Sequence, residues 1–440
     1  MNSPFKREAR PETLLALGFL TVILLGTALL ELPISVKTGQ RLGLFDSLFT
    51  ATSAVCVTGL VAVDTGTTFS LFGQTVLLVL IQVGGLGFMV FATMLMGLLG
   101  RRLSIRGRLL IRESMNGVTL SGLGRLAGLY FALALGIELA GMLALSLRLV
   151  PLYGVRQGLW FAAFHAVSAF CNAGFDLFGS FQSLAAFSGD PLVLLTVALL
   201  IVLGGLGFTV ILEVLRHREG WKGLSLHTRI VLTSTAGLLA IGTAFFLLAE
   251  RKDMNALNAF FQSVTFRTAG FNSVDLAAMK DGSKLFGSLM MMVGASPAST
   301  GGGIKTTTVA VLVLLMVSVI KGEGEVNAAR RRLSGDTVRR ALVVATLYLS
   351  VLLLGTLAVA LIEEGRFSLA DVLFECSSAM GTVGVSAIGT PNLSAASRAL
   401  LMPMMFLGRV GPVTLAVAVA RRQGRTRGMS KYPEEKIMIG

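Results

Sequence analysis

Long apolar stretches alternate with short polar ones along almost the whole chain. Eight stretches reach the roughly 20 mostly apolar residues that a membrane span needs. They lie at about 13–30, 74–99, 126–148, 191–215, 230–249, 285–320, 341–362 and 399–420. The first is short, and the sixth is overlong and interrupted. Four further segments, 46–57, 161–172, 257–268 and 371–382, are patterned like short helices. They are too short to cross a bilayer and too apolar for solvated loops. A helix that enters halfway and returns fits both facts.

Each short segment runs into a glycine step: Thr58-Gly59-Leu60, Ala173-Gly174-Phe175, Ala269-Gly270-Phe271 and Val383-Gly384-Val385. Ten residues before the glycine stand Phe49, Phe164, Phe260 and Phe374. Six before it stand Ser53, Ser168 and Ser378, with Val264 breaking the column. Between 24 and 30 residues after it come Gly84, Gly204, Gly294 and Gly408. Phe and Gly are common here, but several columns holding together across four copies mark an internal repeat. The expected fold is all-α and integral to the membrane: four span–pore helix–span repeats around a pseudo-fourfold pore. That makes eight transmembrane helices plus four re-entrant pore helices. The expected repeats are about 13–100, 125–217, 228–322 and 339–422 of a single membrane domain over 1–440, with 423–440 as a tail.

Composition agrees. The chain is 54% hydrophobic and 14% charged, against about 25% charged in soluble domains. Lys6, Arg7 and Arg10 precede the first apolar run, as in a signal peptide. The run ends in Glu31-Leu32-Pro33 without a small-residue cleavage pattern, so it is read as a retained span. The net charge of +14 would suit nucleic acid, but its distribution does not. With the N-terminus inside and eight alternating spans, the inner segments hold most of the 38 Lys and Arg, and the outer ones are slightly acidic. That is the positive-inside pattern, with both termini cytoplasmic. Cys56, Cys171 and Cys376 all fall in the short segments, and an odd buried set is not a disulfide framework. His165, His217 and His227 lack metal-ligand spacing and receive no role. No paired carboxylates, metal cluster or nucleophile with a base is visible, so an enzyme is not expected.

Backbone at membrane depth is tolerated only where protein buries it or where it lines a water-filled path. Four short helices aiming their C-terminal ends at one axis would present partial negative charge. With loop carbonyls, that favours a cation. The plainer reading is that the glycines merely turn the chain between a re-entrant helix and a span.

The segments Thr52-Ser53-Ala54-Val55-Cys56-Val57-Thr58-Gly59-Leu60, Phe266-Arg267-Thr268-Ala269-Gly270-Phe271-Asn272 and Ser299-Thr300-Gly301-Gly302-Gly303-Ile304-Lys305 resemble the Ktr/Trk/HKT superfamily of potassium transporters. The resemblance covers essentially the whole chain and is greatest to the KtrB-type ion-translocating subunits. The ending Tyr432-Pro433-Glu434-Glu435-Lys436 also looks like a KtrB tail. It implies a selectivity filter at Val57, Thr58, Gly59, Asn172, Ala173, Gly174, Thr268, Ala269, Gly270, Thr382, Val383 and Gly384. A potassium ion would sit at backbone carbonyls near the four glycines. Glycine rather than serine at the first position, Gly59, points to potassium. One shared glycine per loop, without the longer Thr-Val-Gly-Tyr-Gly filter of potassium channels, suggests weaker selectivity. The resemblance also implies a bacterial inner-membrane location, a homodimer, sodium stimulation, and a cytoplasmic KtrA-type nucleotide-binding ring. The basic inner loops at 101–125 and 321–340 are candidate docking surfaces, or only topology signals.

Residues 294–308 place Pro297 and Gly301-Gly302-Gly303 in the middle of the sixth span, where they break any helix. A P-loop is excluded because Ile304 separates Gly303 from Lys305. The alternatives are a simple kink and a flexible loop below the filter. The resemblance implies the latter, a gate of Thr300, Gly301, Gly302, Gly303 and Lys305. Arg409 in the last span would project beneath the filter as part of that gate, or else pair with Glu138. Arg267 would brace the filter from behind, with Glu375 as a possible partner. The competing functions are a secondary transporter of another substrate, whose broken helices lie in inverted repeats, and a sodium- or ammonium-permeable member of the same family.

Overall fold

The computed structural model describes residues 11–87, 123–216, 220–328 and 331–411. The inner end of the second apolar stretch, residues 101–122, His217, residues 412–420 and the tail lie outside the described residues.

The described chain is almost entirely helical. In order it forms α1 (Pro11–Leu30), α2 (Leu44–Cys56), α3 (Leu71–Leu86), α4 (Leu123–Tyr153) and α5 (Val155–Phe170). Next come α6 (Pro191–Leu206), α7 (Phe208–Arg216), α8 (Leu226–Ala249), α9 (Ala256–Thr265) and α10 (Asp281–Met292). The last are α11 (Thr306–Ile320), α12 (Gly335–Ile362), α13 (Leu369–Gly381) and α14 (Ala395–Val410). A two-residue hairpin, Asn327–Ala328 with Arg331–Arg332, lies in the 321–340 loop.

α1, α4, α8 and α12 are long and apolar enough to cross a membrane, and α6 with α7 makes a fifth candidate, bent by 97°. The long helices turn apolar side chains outward: Leu24, Leu147, Leu248 and Leu354 are all more than half exposed. Water would penalise such a surface, whereas lipid does not. The short helices α2, α5, α9 and α13 are the opposite. Their inner turns are buried, Ser and Thr included, as at Ser53, Ser168, Thr265 and Ser378. At 1.5 Å per residue, 10–16 residues reach only about 15–24 Å, less than a bilayer core.

Four contacts join these short helices to neighbouring quarters of the chain in a closed cycle. Asp46 near the start of α2 takes Arg398 of α14 at 2.8 Å. Trp160 of α5 donates to Gln74 of α3 at 2.8 Å. Asn258 of α9 donates to the Ser188 carbonyl after α5 at 3.1 Å. Asp371 of α13 takes Lys284 of α10 at 2.8 Å. Each quarter thus holds the one before it, and the first holds the last.

The inner ends of the second apolar helices differ from the uninterrupted spans expected at 74–99, 191–215 and 399–420. α3 stops at Gly87, α6 at Gly207 and α14 at Gly411, each with φ between 83° and 93°. That left-handed backbone ends a helix and suits glycine. The chain therefore breaks at the same place in three quarters, not only in the sixth span.

Lys284 is buried, and Asp371 is about one-fifth exposed. Lys284→Met should lower the unfolding midpoint in detergent, a loss of roughly 1–3 kcal/mol from the stranded carboxylate. Lys284→Met combined with Asp371→Leu should recover part of it. A circular dichroism melt measures both.

Candidate functional site

The four glycine loops meet. A Cβ on Gly59 would press on the Ala173 carbonyl, on Gly174 against Gly270, on Gly270 against the Val383 carbonyl, and on Gly384 against the Thr58 carbonyl. All four approaches fall below the 3.0 Å that real Cβ atoms keep. The loops therefore follow one another round a ring in chain order, and glycine is the residue that lets backbone meet backbone. All four glycines also have positive φ, from 69° to 95°. The same four line one cavity of about 270 Å³.

Two residues before each glycine the backbone is left-handed again: Val57, Asn172, Thr268 and Thr382 have φ of 51–72°. Three of these are β-branched, for which this region is an outlier, with a cost of about 1–3 kcal/mol each. The same unusual backbone recurs at the same place in all four loops.

The helix ends supply the restraint. In the first, second and fourth quarters, Thr58, Ala173 and Val383 donate N–H to the Ser53, Ser168 and Ser378 carbonyls at 2.7–2.8 Å. This is the Schellman ending. The serine hydroxyls hold the next peptide. Ser53 and Ser378 Oγ accept from Gly59 and Gly384 N–H at 3.0 and 2.9 Å. Ser168 Oγ donates to the Phe175 carbonyl at 2.7 Å.

The third quarter corrects the sequence register. There Thr265 Oγ1 donates to the Phe271 carbonyl at 2.5 Å, and Ala269 N–H reaches the Thr265 carbonyl in a single shorter turn. Phe261 is fully buried, whereas Phe260 is only partly so. The matching pair is Phe261 and Thr265, not Phe260 and Val264. The loop before Gly270 is one residue shorter, and counting back from the glycine missed that.

With this register a further column emerges. The residue after the phenylalanine is Thr50, His165, Gln262 and Glu375, polar in every quarter and buried in every quarter. His165 Nδ1 meets the Phe161 carbonyl at 2.6 Å, and its Nε2 accepts from Leu177 N–H at 3.3 Å. Glu375 accepts from Ser386 at 2.5 Å and Thr390 at 2.7 Å. In the second and fourth quarters these side chains tie the short helix to the loop leaving the ring. A polar residue repeated inside an apolar helix was the available signal.

Glu375 is therefore not the partner of Arg267. Arg267 is buried, and among the described residues it has no ion pair. On the same cavity Asp64 accepts from Thr67 and from Phe181 N–H. Burial pushes the nearby Asp176 carboxyl up to about 7; the Phe178 N–H opposes the rise, and the Asp64 charge adds to it.

Residues 293–305 fold into a loop directly under the ring. Gly301 lies against Thr268 and the Asn172 amide, and Gly302 against Thr382. These are the left-handed residues of three loops. Thr300 Oγ1 donates to the Phe170 carbonyl at 2.9 Å, and its N–H to the Gly204 carbonyl at 3.1 Å. Lys305 Nζ donates to the Gly301 carbonyl at 2.7 Å. Gly84, Gly204 and Gly408 leave no room for a Cβ beside the Val55, Phe170 and Met380 carbonyls. In the third quarter, the Gly302 carbonyl of the loop fills the place beside Gly294.

Arg409 does not pair with Glu138. Its guanidinium donates to the Thr300 carbonyl and to the carbonyls of Gly84 and Gly85, the last at 3.0 Å. One residue after the inner glycine stand Gly85, Gly205, Ala295 and Arg409. Arginine thus occupies a small-residue column and reaches across to the loop.

The model of the TrkH cation transport protein family matches residues 13–427. The chain belongs to that family. It is 40% identical to Ktr system potassium uptake protein B of Bacillus subtilis, over 98% of this chain and 97% of that one. It is also 40% identical to the protein of the same name from Vibrio alginolyticus, covering 99% and 96%. Identity to the potassium/sodium uptake protein NtpJ of Enterococcus hirae is 36%, covering 100% and 99%. The fold matches the crystal structure of the potassium transporter TrkH from Vibrio parahaemolyticus with a TM-score of 0.71 at 17% identity, over 95% of this chain and 87% of that one.

Ser378→Ala strips the Gly384 N–H of its acceptor and relaxes one strained loop. Discrimination among alkali cations should fall in competition uptake assays while the amount of protein in the membrane stays unchanged.

Proposed function

We propose that this chain is a potassium uptake protein of the bacterial inner membrane, with both termini in the cytoplasm. Ions would pass down their electrochemical gradient through the glycine ring, without covalent chemistry. The single observation that carries this reading is the ring itself: four strained glycine loops in mutual contact on one cavity. Backbone at membrane depth needs a polar path to face, and carbonyls turned toward it replace the water around a cation. The four span–pore helix–span repeats, with Val57 to Gly59, Asn172 to Gly174, Thr268 to Gly270 and Thr382 to Gly384 as filter, account for that geometry. The names of the relatives support potassium as cargo.

In this reading the 293–305 loop is the gate, with Thr300, Gly301, Gly302, Gly303, Lys305 and Arg409 as its working parts. Its position against three ring loops supports closure of the path. A homodimer, sodium stimulation and a KtrA-type nucleotide-binding ring complete the proposal; relatives named as part of a Ktr system support a further subunit, and nothing more. A sodium-permeable pore is the second reading, favoured by the relative named for potassium/sodium uptake.

Expression in a bacterium lacking its own potassium uptake, with and without the cytoplasmic partner, tests the function. Growth at low potassium and uptake of potassium over sodium are expected; sodium uptake without potassium uptake would favour the second reading. Deleting residues 299–303 should raise potassium flux, and unchanged flux in a correctly inserted protein would remove the gate assignment. Gly270→Ser places a side chain against the Val383 carbonyl and should lower potassium affinity or discrimination. Potassium uptake at graded sodium concentrations reads that change.

A further inference from the structure

Glu138 lies near the middle of α4, deep in an apolar helix, and is 4% exposed. An ionisable group inside a span is costly and needs a partner. Both its oxygens accept from Gln82 Nε2 of α3, at 3.0 and 3.1 Å. Cys171, at the end of α5, sits 3.5 Å from Gln82 Oε1 and 3.9 Å from Glu138 Oε1. Gln82 is two residues before Gly84, whose carbonyl, with that of Gly85, receives Arg409. Arg409 in turn holds the Thr300 carbonyl of the 293–305 loop.

These contacts form one continuous chain through all four quarters: Glu138 in the second, Gln82 to Gly85 in the first, Arg409 in the fourth and Thr300 in the third. The Gly84 and Gly85 carbonyls belong to the last turn of α3, where helical partners run out. Their direction depends on how that turn is held. Gln82 is the side chain that fixes it from behind.

We propose that Glu138 is a positioning residue for the gate: through Gln82 it sets the α3 carbonyls that seat Arg409 on Thr300. The proposal rests on reading the 293–305 loop as the gate. Loss of the Glu138 acceptor loosens the α3 end, unseats Arg409 and releases the loop. Glu138 and Gln82 reach only Cys171 at the end of α5 and none of the four ring glycines, so cation discrimination should not change.

The test uses the full chain with its partner in a potassium-uptake-deficient bacterium, with membrane content checked for each variant. Glu138→Leu and Gln82→Leu should each raise potassium flux by roughly 2- to 30-fold, the span of 0.5–2 kcal/mol couplings carried by such networks. Glu138→Gln keeps an acceptor of the same shape and should stay near the unaltered protein. In the background of the 299–303 deletion, Glu138→Leu should add nothing, because the element it restrains is gone. If the deletion alone leaves flux unchanged, the gate reading fails. If the deletion raises flux and both leucine variants do not, the positioning role fails while the gate stands. Additive increases, a glutamine variant that behaves like leucine, or altered potassium-to-sodium discrimination would each also overturn it.

Discussion

The contact on which the rest depends is backbone against backbone at the glycine ring. Gly59, Gly174, Gly270 and Gly384 each touch the next loop where any Cβ would collide. Peptide groups held there, inside an apolar shell, must be hydrogen-bonded or must face something polar. The loops do both. Their N–H groups return to the short helices, at the serine carbonyls in three quarters and at the Thr265 carbonyl in the third. The four glycines themselves line the cavity. The left-handed Val57, Asn172, Thr268 and Thr382 are stable only because the helix endings, the hydroxyls and the inter-quarter contacts all constrain the same few peptides.

The quarters share this ring but differ beneath it. Three break at a glycine of positive φ, at Gly87, Gly207 and Gly411. The third breaks earlier and inserts a loop where its neighbours have only a helix end. The fourth puts Arg409 in a column of small residues and extends it to that loop. The four-fold likeness is confined to the ring, and the departures from it lie beneath. Buried ionisable side chains follow the same division. Glu375 and His165 brace the ring, whereas Glu138 and Arg409 attach to the broken helix ends.

Much of this was legible in the chain. The glycines, the Phe and Ser columns and the broken sixth stretch are local patterns, fixed by what a helix, a loop or lipid will accept. The errors came where a distance in sequence stood in for a distance in space. Counting ten and six residues back from Gly270 gave Phe260 and Val264, but a loop one residue shorter moves the working pair to Phe261 and Thr265. Pairing by charge offered Glu138 as the alternative for Arg409 and Glu375 as a partner for Arg267. Arg409 instead took backbone carbonyls left open by a helix end, and Glu375 took two hydroxyls.

By itself the sequence determined that this is a helical membrane protein with four glycine loops, because length, apolarity and turn chemistry act on neighbouring residues. Only the tertiary structure decided that the loops close on one another in chain order. It also decided that a mid-span loop lies under three of them, and that Glu138, Gln82, Arg409 and Thr300 form one connected line. Those contacts join residues up to 325 positions apart. The Arg409 bonds go to backbone carbonyls, which leave no mark in the identity of the accepting residue, so no pattern of side chains along the chain encodes those.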